Sequence, residues 1–175
     1  MEKDSGFSLS NLESYWEEND SLSDLRLLHE SENGWCMVYS ALYKGRRVAV
    51  KVLKEKYRND PLYEKLLEKE YSIGARLPHP NIVFTEGFID TGKFGQGIIL
   101  EYVAGESIDS YLQSHPSLKR KEIYRIIEQL CSALDYVHSR QIVHCDLKPS
   151  NIMITRQGEF IKLLDFGMSR GFNFE

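Results

Sequence analysis

Cysteine is scarce in this chain, and the three cysteines, Cys36, Cys131 and Cys145, form no CxxC pair. Their spacing therefore predicts neither a zinc site nor a disulfide framework, and a reducing compartment fits them best. The sequence also lacks an apolar run of the roughly 20 residues that a membrane-spanning helix needs. Its polar, acidic start does not resemble a secretory signal. We therefore expect a cytoplasmic protein that has no membrane partner.

A strong charge excess of one sign is also absent, because 26 acidic and 22 basic residues give a formal net charge of −4. Residues 1–32 hold nine acids and two bases, and the remaining 143 residues hold 17 acids and 20 bases. This small positive surplus is too weak to indicate a nucleic-acid partner. We expect residues 1–22 to form an acidic N-terminal extension, and no feature of the sequence indicates an oligomeric state.

Hydrophobic patterning predicts a small antiparallel sheet with one helix in residues 23–103. The segments WCMVYSALY and RRVAVKVL, joined by Lys-Gly, predict a β-hairpin, and IVFTEGFID and GQGIILEYV predict two further strands of a sheet of about five. Between these two pairs, Asp60 can cap a helix that begins at Pro61. The predicted buried face of this helix consists of Leu62, Leu66, Ile73 and Leu77.

After Gly105 the pattern becomes mainly helical. A short helix is predicted over residues 107–113 and a long one over residues 119–139, followed by the polar segment HCDLKPSN and two short strands, IMI and FIKLL. Together with the sheet, these elements predict an α+β fold. The predicted buried face of the long helix consists of Ile123, Ile127, Leu130, Leu134 and Val137.

Four polar residues in the last part of the chain can support phosphoryl chemistry. In HCDLKPSN, Asp146 could accept a proton from a hydroxyl, Lys148 could neutralise phosphate charge and Asn151 could ligate a metal ion. Taken alone, these residue types are equally typical of a turn. Asp165 follows an apolar strand, where its carboxylate could bind a hard cation. The hairpin between Asn151 and Asp165 is expected to bring the two residues together.

A lysine and a glutamate are predicted to form a buried ion pair. Strand alternation in VAVK places Ala49 and Lys51 on one face, although a surface lysine on an edge strand would show the same pattern. Glu70 falls on the apolar face of the predicted helix, four residues after Leu66. Since a buried carboxylate is costly unless it is paired, we expect Lys51 to be its partner.

These motifs occur together and in one order: VAVK, Glu70 nine residues before HPNIV, IILEYVAG, HCDLKPSN and DFG. In this combination the sequence resembles the eukaryotic-type protein kinases, and the DLKPxN form is typical of the serine/threonine branch. The resemblance covers about residues 25–170. It implies a protein-kinase-like bilobal fold, with an antiparallel-sheet N-lobe in residues 23–103 and an incomplete, mainly helical C-lobe in residues 104–175.

The resemblance also implies an activity, which is the transfer of a phosphoryl group from ATP, with Mg²⁺, to serine or threonine hydroxyls of a protein substrate. Asp146 is implied as the catalytic base toward the hydroxyl. Lys148 is implied as the group that stabilises the transferring phosphoryl group. Asn151 and Asp165 are implied as ligands of two magnesium ions.

The nucleotide contacts implied by the resemblance come from several strands. Lys51, oriented by Glu70, would bind the α- and β-phosphates of ATP. Leu100 stands at the gatekeeper position, and the backbone of Glu101 and of Val103 would hydrogen-bond the adenine. The apolar side chains implied to enclose the adenine ring, each of which could equally be plain core, are Val38, Ala49 and Met153.

Several positions depart from the family pattern. The glycine-rich loop has Ser31, Asn33 and Cys36 where three glycines are expected, which predicts weaker ATP binding because glycine lets the backbone approach the phosphates. Cys145 replaces an arginine that usually meets a phosphate on the activation segment, so we do not expect activity to be gated in that way. Gly74 replaces a larger apolar residue, and we expect a gap that loosens the helix.

The sequence stops ten residues after Asp165, whereas the family continues through an activation segment and several helices. We expect a truncated product with little or no turnover. An exposed apolar patch is expected at Leu130, Leu134 and Val137. A nucleotide-binding pseudokinase or interaction module is the main alternative, favoured by the altered glycine loop. A small-molecule kinase is a weaker alternative, because HPNIV and DFG are typical of the protein-directed family.

Overall fold

The computed structural model describes residues 21–31, 34–156 and 158–171. The predicted acidic extension, apart from Ser21 and Leu22, and the glycine-loop position Asn33 therefore lie outside the described residues. Within those residues, no helix is both long enough and apolar enough to cross a membrane.

The first half of the chain forms a five-stranded antiparallel sheet in the order β1-β2-β3-β5-β4. The predicted hairpin between β2 and β3 is confirmed, and its turn residues Lys44 and Gly45 both have positive φ, as a tight hairpin turn requires. Strand β1, which the patterning did not locate, is exposed along its whole length at the edge of the sheet. The strands are β1 (Ser23–Glu30), β2 (Cys36–Tyr43), β3 (Arg46–Leu53), β4 (Thr85–Asp90) and β5 (Gln96–Glu101).

Helix α1 (Pro61–Gly74) begins as predicted, because the Asp60 carboxylate accepts a hydrogen bond from the Leu62 backbone N–H at 2.9 Å. Its predicted buried face was wrong at Leu62, which is 61% exposed. Leu62 lies five residues before the fully buried Leu67, so it is turned about 140° away from it around the helix. The residues that α1 buries are Leu67, Glu70, Ile73 and Gly74.

The second half of the chain combines two helices with short strands. The helices are α2 (Ile108–Ser114) and α3 (Arg120–Ser139). Strands β6 (Gly105–Ser107), β8 (Ile152–Thr155) and β9 (Ile161–Leu163) form a three-stranded antiparallel sheet. Strands β7 (Ile142–Val143) and β10 (Arg170–Gly171) form an antiparallel pair.

One hydrophobic core joins the end of α1 to these elements. Ile73 on α1 belongs to the same buried cluster as Val137 on α3 and Leu163 on β9. The parallel bridge between Ile82 and Leu163, with reciprocal backbone hydrogen bonds around it, links the segment before β4 directly to β9. This connection places the segment that follows β9 beside α1.

The buried face of α3 differs from the predicted one. Ile123 and Ile127 are 43% and 49% exposed, so their predicted burial was wrong. Val137 is fully buried, and Leu130 and Leu134 are half-buried against the same core. The exposed apolar patch predicted at Leu130, Leu134 and Val137 is therefore wrong. Strands β7 and β9 pack against α3 and cover that part of it. The exposed apolar residues of α3 are instead Ile123, Tyr124 and Ile127.

Candidate active site

The site begins on the central strand β3, where side chains alternate between two faces. Val48, Val50 and Val52 point into the apolar cluster on one face of the sheet, so Ala49 and Lys51 point to the other. Lys51 is only 7% exposed, and its strand lies between β2 and β5. The alternative of a surface lysine on an edge strand is therefore excluded.

The predicted ion pair between Lys51 and Glu70 is confirmed. The Lys51 Nζ donates to both carboxylate oxygens of Glu70, at 2.6 and 2.7 Å, and Glu70 is itself 7% exposed. A third bond of 3.0 Å runs from the same Nζ to Asp165 Oδ1. The indole ring of Trp35 lies 5.8 Å from the Nζ. One buried ammonium thus connects β3, α1 and the segment after β9.

The pKa values of Lys51, Glu70 and Asp165 are all shifted, because two carboxylates share one ammonium in a buried site. Burial alone would raise the pKa of Asp165, but the charge and hydrogen bond of Lys51 and the Gly167 backbone N–H lower it to about 2. Burial raises the pKa of Glu70 to about 7, against the opposing charge of Lys51. The pKa of Lys51 is raised above its ordinary value, because its two carboxylate neighbours outweigh its burial.

The loop that follows β7 gathers its polar side chains around Asp146. The Asn151 Nδ2 donates to the Asp146 backbone carbonyl at 2.8 Å and to Asp146 Oδ2 at 2.9 Å. The Lys148 ammonium lies 2.8 Å from the same Oδ2. The Leu164 backbone N–H donates to the Asn151 carbonyl at 2.8 Å, which ties this loop to the residue directly before Asp165. The predicted convergence of Asn151 and Asp165 is supported by this contact.

His144 is a positioning residue to which the sequence patterning assigned no role. Its Nδ1 accepts a hydrogen bond from the Asp146 backbone N–H at 3.2 Å, so the ring proton of a neutral imidazole is on Nε2, which donates to the Leu164 carbonyl at 2.8 Å. The ring is buried and meets Phe166 edge-on at 4.9 Å. A histidine two residues before the candidate base was the only signal in the sequence that could have found it.

Two residues of the site adopt a backbone conformation that is uncommon outside glycine. Cys145 has φ +63° and Asp165 has φ +60°. Cys145 directly precedes the candidate base Asp146, and Asp165 is itself a candidate metal ligand. A positive φ is strained for residues other than glycine, and this strain persists only where the surrounding structure fixes the backbone. The bonds of Asp146 and Asp165 described above provide that fixation.

The residues expected around the adenine occupy neighbouring strands. Val38 pairs with Lys51 across β2 and β3, and Ala49 pairs with Leu100 across β3 and β5. Glu101 ends β5, and its backbone N–H already donates to the Phe84 carbonyl at 2.8 Å, so only its carbonyl could meet a ligand. The remaining residues expected there are the half-buried Val103, which follows β5, and Met153 on β8.

In the altered glycine loop, a glycine outside the family spacing lies close against Ser31. The Gly34 backbone N–H donates to the Ser31 carbonyl at 3.3 Å, and a Cβ on Gly34 would lie 2.7 Å from the Ser31 Cβ. Any larger residue at position 34 would therefore collide with Ser31. Cys36 is the first residue of β2, where it pairs with Leu53.

The gap expected at Gly74 does not exist. A Cβ at this position would overlap the Thr85 hydroxyl, so the side chain of Thr85 on β4 fills the space. Both residues are buried. The glycine is therefore required by close packing between α1 and β4, and the Lys51–Glu70 pair forms beside it.

The donor set fits a magnesium ion that shares its coordination with phosphates. Asp165 is 41% exposed at its side chain and offers a carboxylate, and Asn151 keeps its Oδ1 available because its Nδ2 is bound to Asp146. Hard cations of this size take oxygen ligands and retain water or phosphate oxygens. In the described part of the chain, no group of three or more His, Cys, Asp or Glu is placed to hold a metal by itself.

Similarity to known proteins agrees with this geometry. The protein kinase domain family matches residues 32–175. The serine/threonine-protein kinase PrkC of Bacillus subtilis is 37% identical over 140 residues, which are 78% of this chain and 21% of PrkC. The serine/threonine-protein kinase PknA of Mycobacterium tuberculosis is 35% identical over 130 residues, which are 72% of this chain and 30% of PknA.

The matched part of this chain thus corresponds to between a fifth and a third of these relatives. The predicted α+β fold, with an antiparallel-sheet N-lobe that carries one helix, is confirmed. By its matched residues and its fold, this chain belongs to the protein kinase domain family.

Proposed function

We propose that this chain binds Mg²⁺ and ATP as the nucleotide-binding part of a serine/threonine protein kinase, which phosphorylates hydroxyls of a protein substrate. The observation that carries the proposal is the position of Lys51, whose Nζ lies 2.6 Å from Glu70 and 3.0 Å from Asp165. The similarity to PrkC and PknA supports the same activity. The cysteine content supports a reducing, cytoplasmic location.

Lys51 is proposed to bind the α- and β-phosphates of ATP. Its ammonium has three N–H donors, of which two are directed to Glu70 and one to Asp165. If Lys51 releases the more exposed Asp165, one donor becomes free for a phosphate oxygen. The two bonds to Glu70 hold the amine in place meanwhile, which is the positioning that phosphoryl transfer requires.

Asn151 and Asp165 are proposed to hold the magnesium ions. A bound Mg²⁺ would neutralise negative charge on the phosphates. The contribution of this chain is to fix the two ligands. Asn151 is held by its bonds to Asp146, and Asp165 is held by Lys51 and by the Gly167 N–H at 3.1 Å.

Asp146 is proposed as the base that accepts the proton of the substrate hydroxyl, with Lys148 stabilising the phosphoryl group in transfer. Asn151 and Lys148 both contact Oδ2 of Asp146, which leaves Oδ1 for a hydroxyl. The Lys148 side chain is 51% exposed, so it can turn from Asp146 toward a phosphate. For the adenine, we propose contacts with the Glu101 carbonyl and the Val103 backbone, and with the side chains of Val38, Ala49 and Met153.

The proposal is tested by equilibrium binding of ATP with and without Mg²⁺. We expect magnesium-dependent binding that Asp165→Asn weakens strongly, whereas Asp135→Asn, an exposed aspartate on α3, should leave it unchanged. ATP binding that is absent, or equal in both variants, would contradict the proposal.

A nucleotide-binding pseudokinase is the second candidate, and the replacement of glycines by Ser31 and Cys36 favours it. Transfer of radiolabelled phosphate to protein separates the two. The kinase proposal predicts transfer by the longest natural product of the gene, which Asp146→Asn abolishes without loss of ATP binding. The pseudokinase predicts ATP binding and no transfer in either protein.

A further inference from the structure

A cavity of about 660 Å³ lies on the face of the five-stranded sheet opposite to Lys51. Its apolar lining is formed by Met37, Tyr39 and Phe94, and the rings of Tyr39 and Phe94 stack at 5.0 Å. These three residues belong to the cluster that also contains Val48, Val50 and Val52. The cavity is therefore separate from the proposed ATP site.

The rim of this cavity is positively charged. Four cations and two carboxylates line it, and one of the cations, Lys54, is paired with Glu30 at 3.4 Å. The other three cations lie over aromatic rings: Lys56 over Tyr57 at 4.7 Å, and both Arg58 and Lys93 over Phe94 at 5.1 and 5.4 Å. None of these three has an ion-pair partner within residues 21–31, 34–156 and 158–171. The cavity thus combines an apolar floor with unpaired positive charge.

The N-terminal segment of the chain has the complementary chemistry. Residues 1–20 contain six acids and one lysine, and Leu12, Tyr15 and Trp16 stand among Glu13, Glu17 and Glu18. An acidic segment with aromatic anchors matches a cavity that has a cationic rim and an apolar floor.

Chain continuity makes the contact reachable. Leu22 packs against the same cluster as Met37 and Phe94, at the end of β2 where Ser23 pairs with Leu42. The five residues of β2 from Leu42 to Met37 span about 17 Å, and the six residues from Trp16 to Leu22 can span about 20 Å. The segment is therefore long enough to reach the cavity from Leu22.

We propose that residues 12–18 bind in this cavity of their own chain, with the aromatic side chains on the floor and the glutamates at Lys56, Arg58 and Lys93. The interaction goes beyond the proposed kinase function and does not depend on ATP. It makes the outer face of the sheet an intramolecular docking surface for the acidic segment.

The test is zero-length carbodiimide cross-linking of the full chain, followed by mass spectrometry. We expect amide links from Glu13, Glu17 or Glu18 to Lys56 or Lys93. The exposed control lysines Lys65, Lys69, Lys119 and Lys121 should show few such links. An equal mixture of isotopically labelled and unlabelled protein should yield links within one chain. Links distributed evenly over all lysines, or links only between labelled and unlabelled chains, would overturn the proposal.

A charge reversal provides a second test that leaves the reactive lysines in place. Arg58→Glu should reduce the yield of links to Lys56 and Lys93 by about fivefold, because the loss of one surface ion pair changes a binding equilibrium by about this factor. Arg58→Lys should retain the yield, and the matched reversal Arg120→Glu at the start of α3 should leave it unchanged. Equal yields in Arg58→Glu and wild-type protein, both folded by circular dichroism, would refute the docking.

Discussion

Removal of the buried ammonium of Lys51 should destabilise the fold strongly. Lys51→Met keeps the length of the side chain but leaves Glu70, at 2.6 Å from the lost Nζ, as a buried carboxylate without a partner. Breaking a buried pair from one side costs about 3–5 kcal/mol, whereas an exposed pair is worth about 1 kcal/mol or less. Because Lys51 and Glu70 are both only 7% exposed, the larger figure applies. We therefore expect a loss of about 3 kcal/mol for Lys51→Met.

The assay is urea unfolding followed by far-ultraviolet circular dichroism at pH 8, where Glu70 of the wild-type protein is ionised, since its pKa is raised to about 7. Loss of the Lys51 charge raises this pKa further, so in the variant Glu70 either remains a buried charge without its ammonium or takes up a proton, and both are costly. The double variant Lys51→Met/Glu70→Gln should recover part of the loss, because a neutral amide needs neither a buried charge nor the uptake of a proton. Lys69→Met, an exposed neighbour on α1, is the matched control and should change the stability by about 0.5 kcal/mol or less. Strict additivity of the two single variants, or a loss below about 1 kcal/mol for Lys51→Met, would refute the reasoning.

Four further predictions concern pH, packing and the glycine loop. The pKa of Asp165 is lowered from 3.8 to about 2, so its contribution to stability is present above about pH 4 and is lost as the pH falls through about 2. Asp165→Asn should therefore make the unfolding free energy less dependent on pH between about 4 and 2. The pKa of Glu70 is raised from 4.5 to about 7, so its contribution to stability is lost as the pH rises through that range. Glu70→Gln should remove the resulting fall of the unfolding free energy with pH. An unchanged fall in the variant would contradict the raised pKa of Glu70. Gly74→Ala should cost about 1–3 kcal/mol in urea unfolding because its Cβ overlaps Thr85, and Gly74→Ala/Thr85→Ala should recover part of it; equal stability of all three proteins would exclude the overlap. Glycine at positions 31, 33 and 36 together should tighten ATP binding in calorimetry, and an unchanged affinity would count against the assignment of this loop.

Local chemistry predicted much of the first half of the fold. The hairpin turn at Lys44-Gly45 and the cap at Asp60 depend on residues adjacent in sequence, so both could be predicted. The buried pair of Lys51 and Glu70 could also be predicted, because two costly residues on adjacent apolar faces satisfy each other.

The predictions from sequence were wrong or incomplete where contacts between residues distant in sequence decide which side chains are buried. A helical stripe can be shifted by one residue without losing its period, so Leu66 and Ile127 were assigned to the buried faces, whereas their neighbours Leu67 and Ile126 pack into the core clusters. The gap at Gly74 could not be judged without knowing that Thr85 packs there. Strand β1 lies at an edge with both faces exposed and therefore carries no alternation that patterning could detect.

The residue types of the candidate site could be predicted from the sequence, but the hydrogen bonds that join its loops could not. The residue types of Asp146, Asn151 and Asp165 indicated the chemistry, but only the fold shows that His144 and Leu164 join the two loops that carry them. The domain boundaries and the catalytic roles remain predictions.

The central claim is that the phosphates of ATP lie at Lys51. An acyl-phosphate derivative of ATP, which acylates a lysine amine near the bound phosphates, tests it most directly when the labelled residue is identified by mass spectrometry. The account predicts labelling of Lys51 that excess ATP with Mg²⁺ suppresses. Labelling confined to exposed lysines such as Lys65 and Lys121, or labelling of Lys51 that ATP does not suppress, would contradict it.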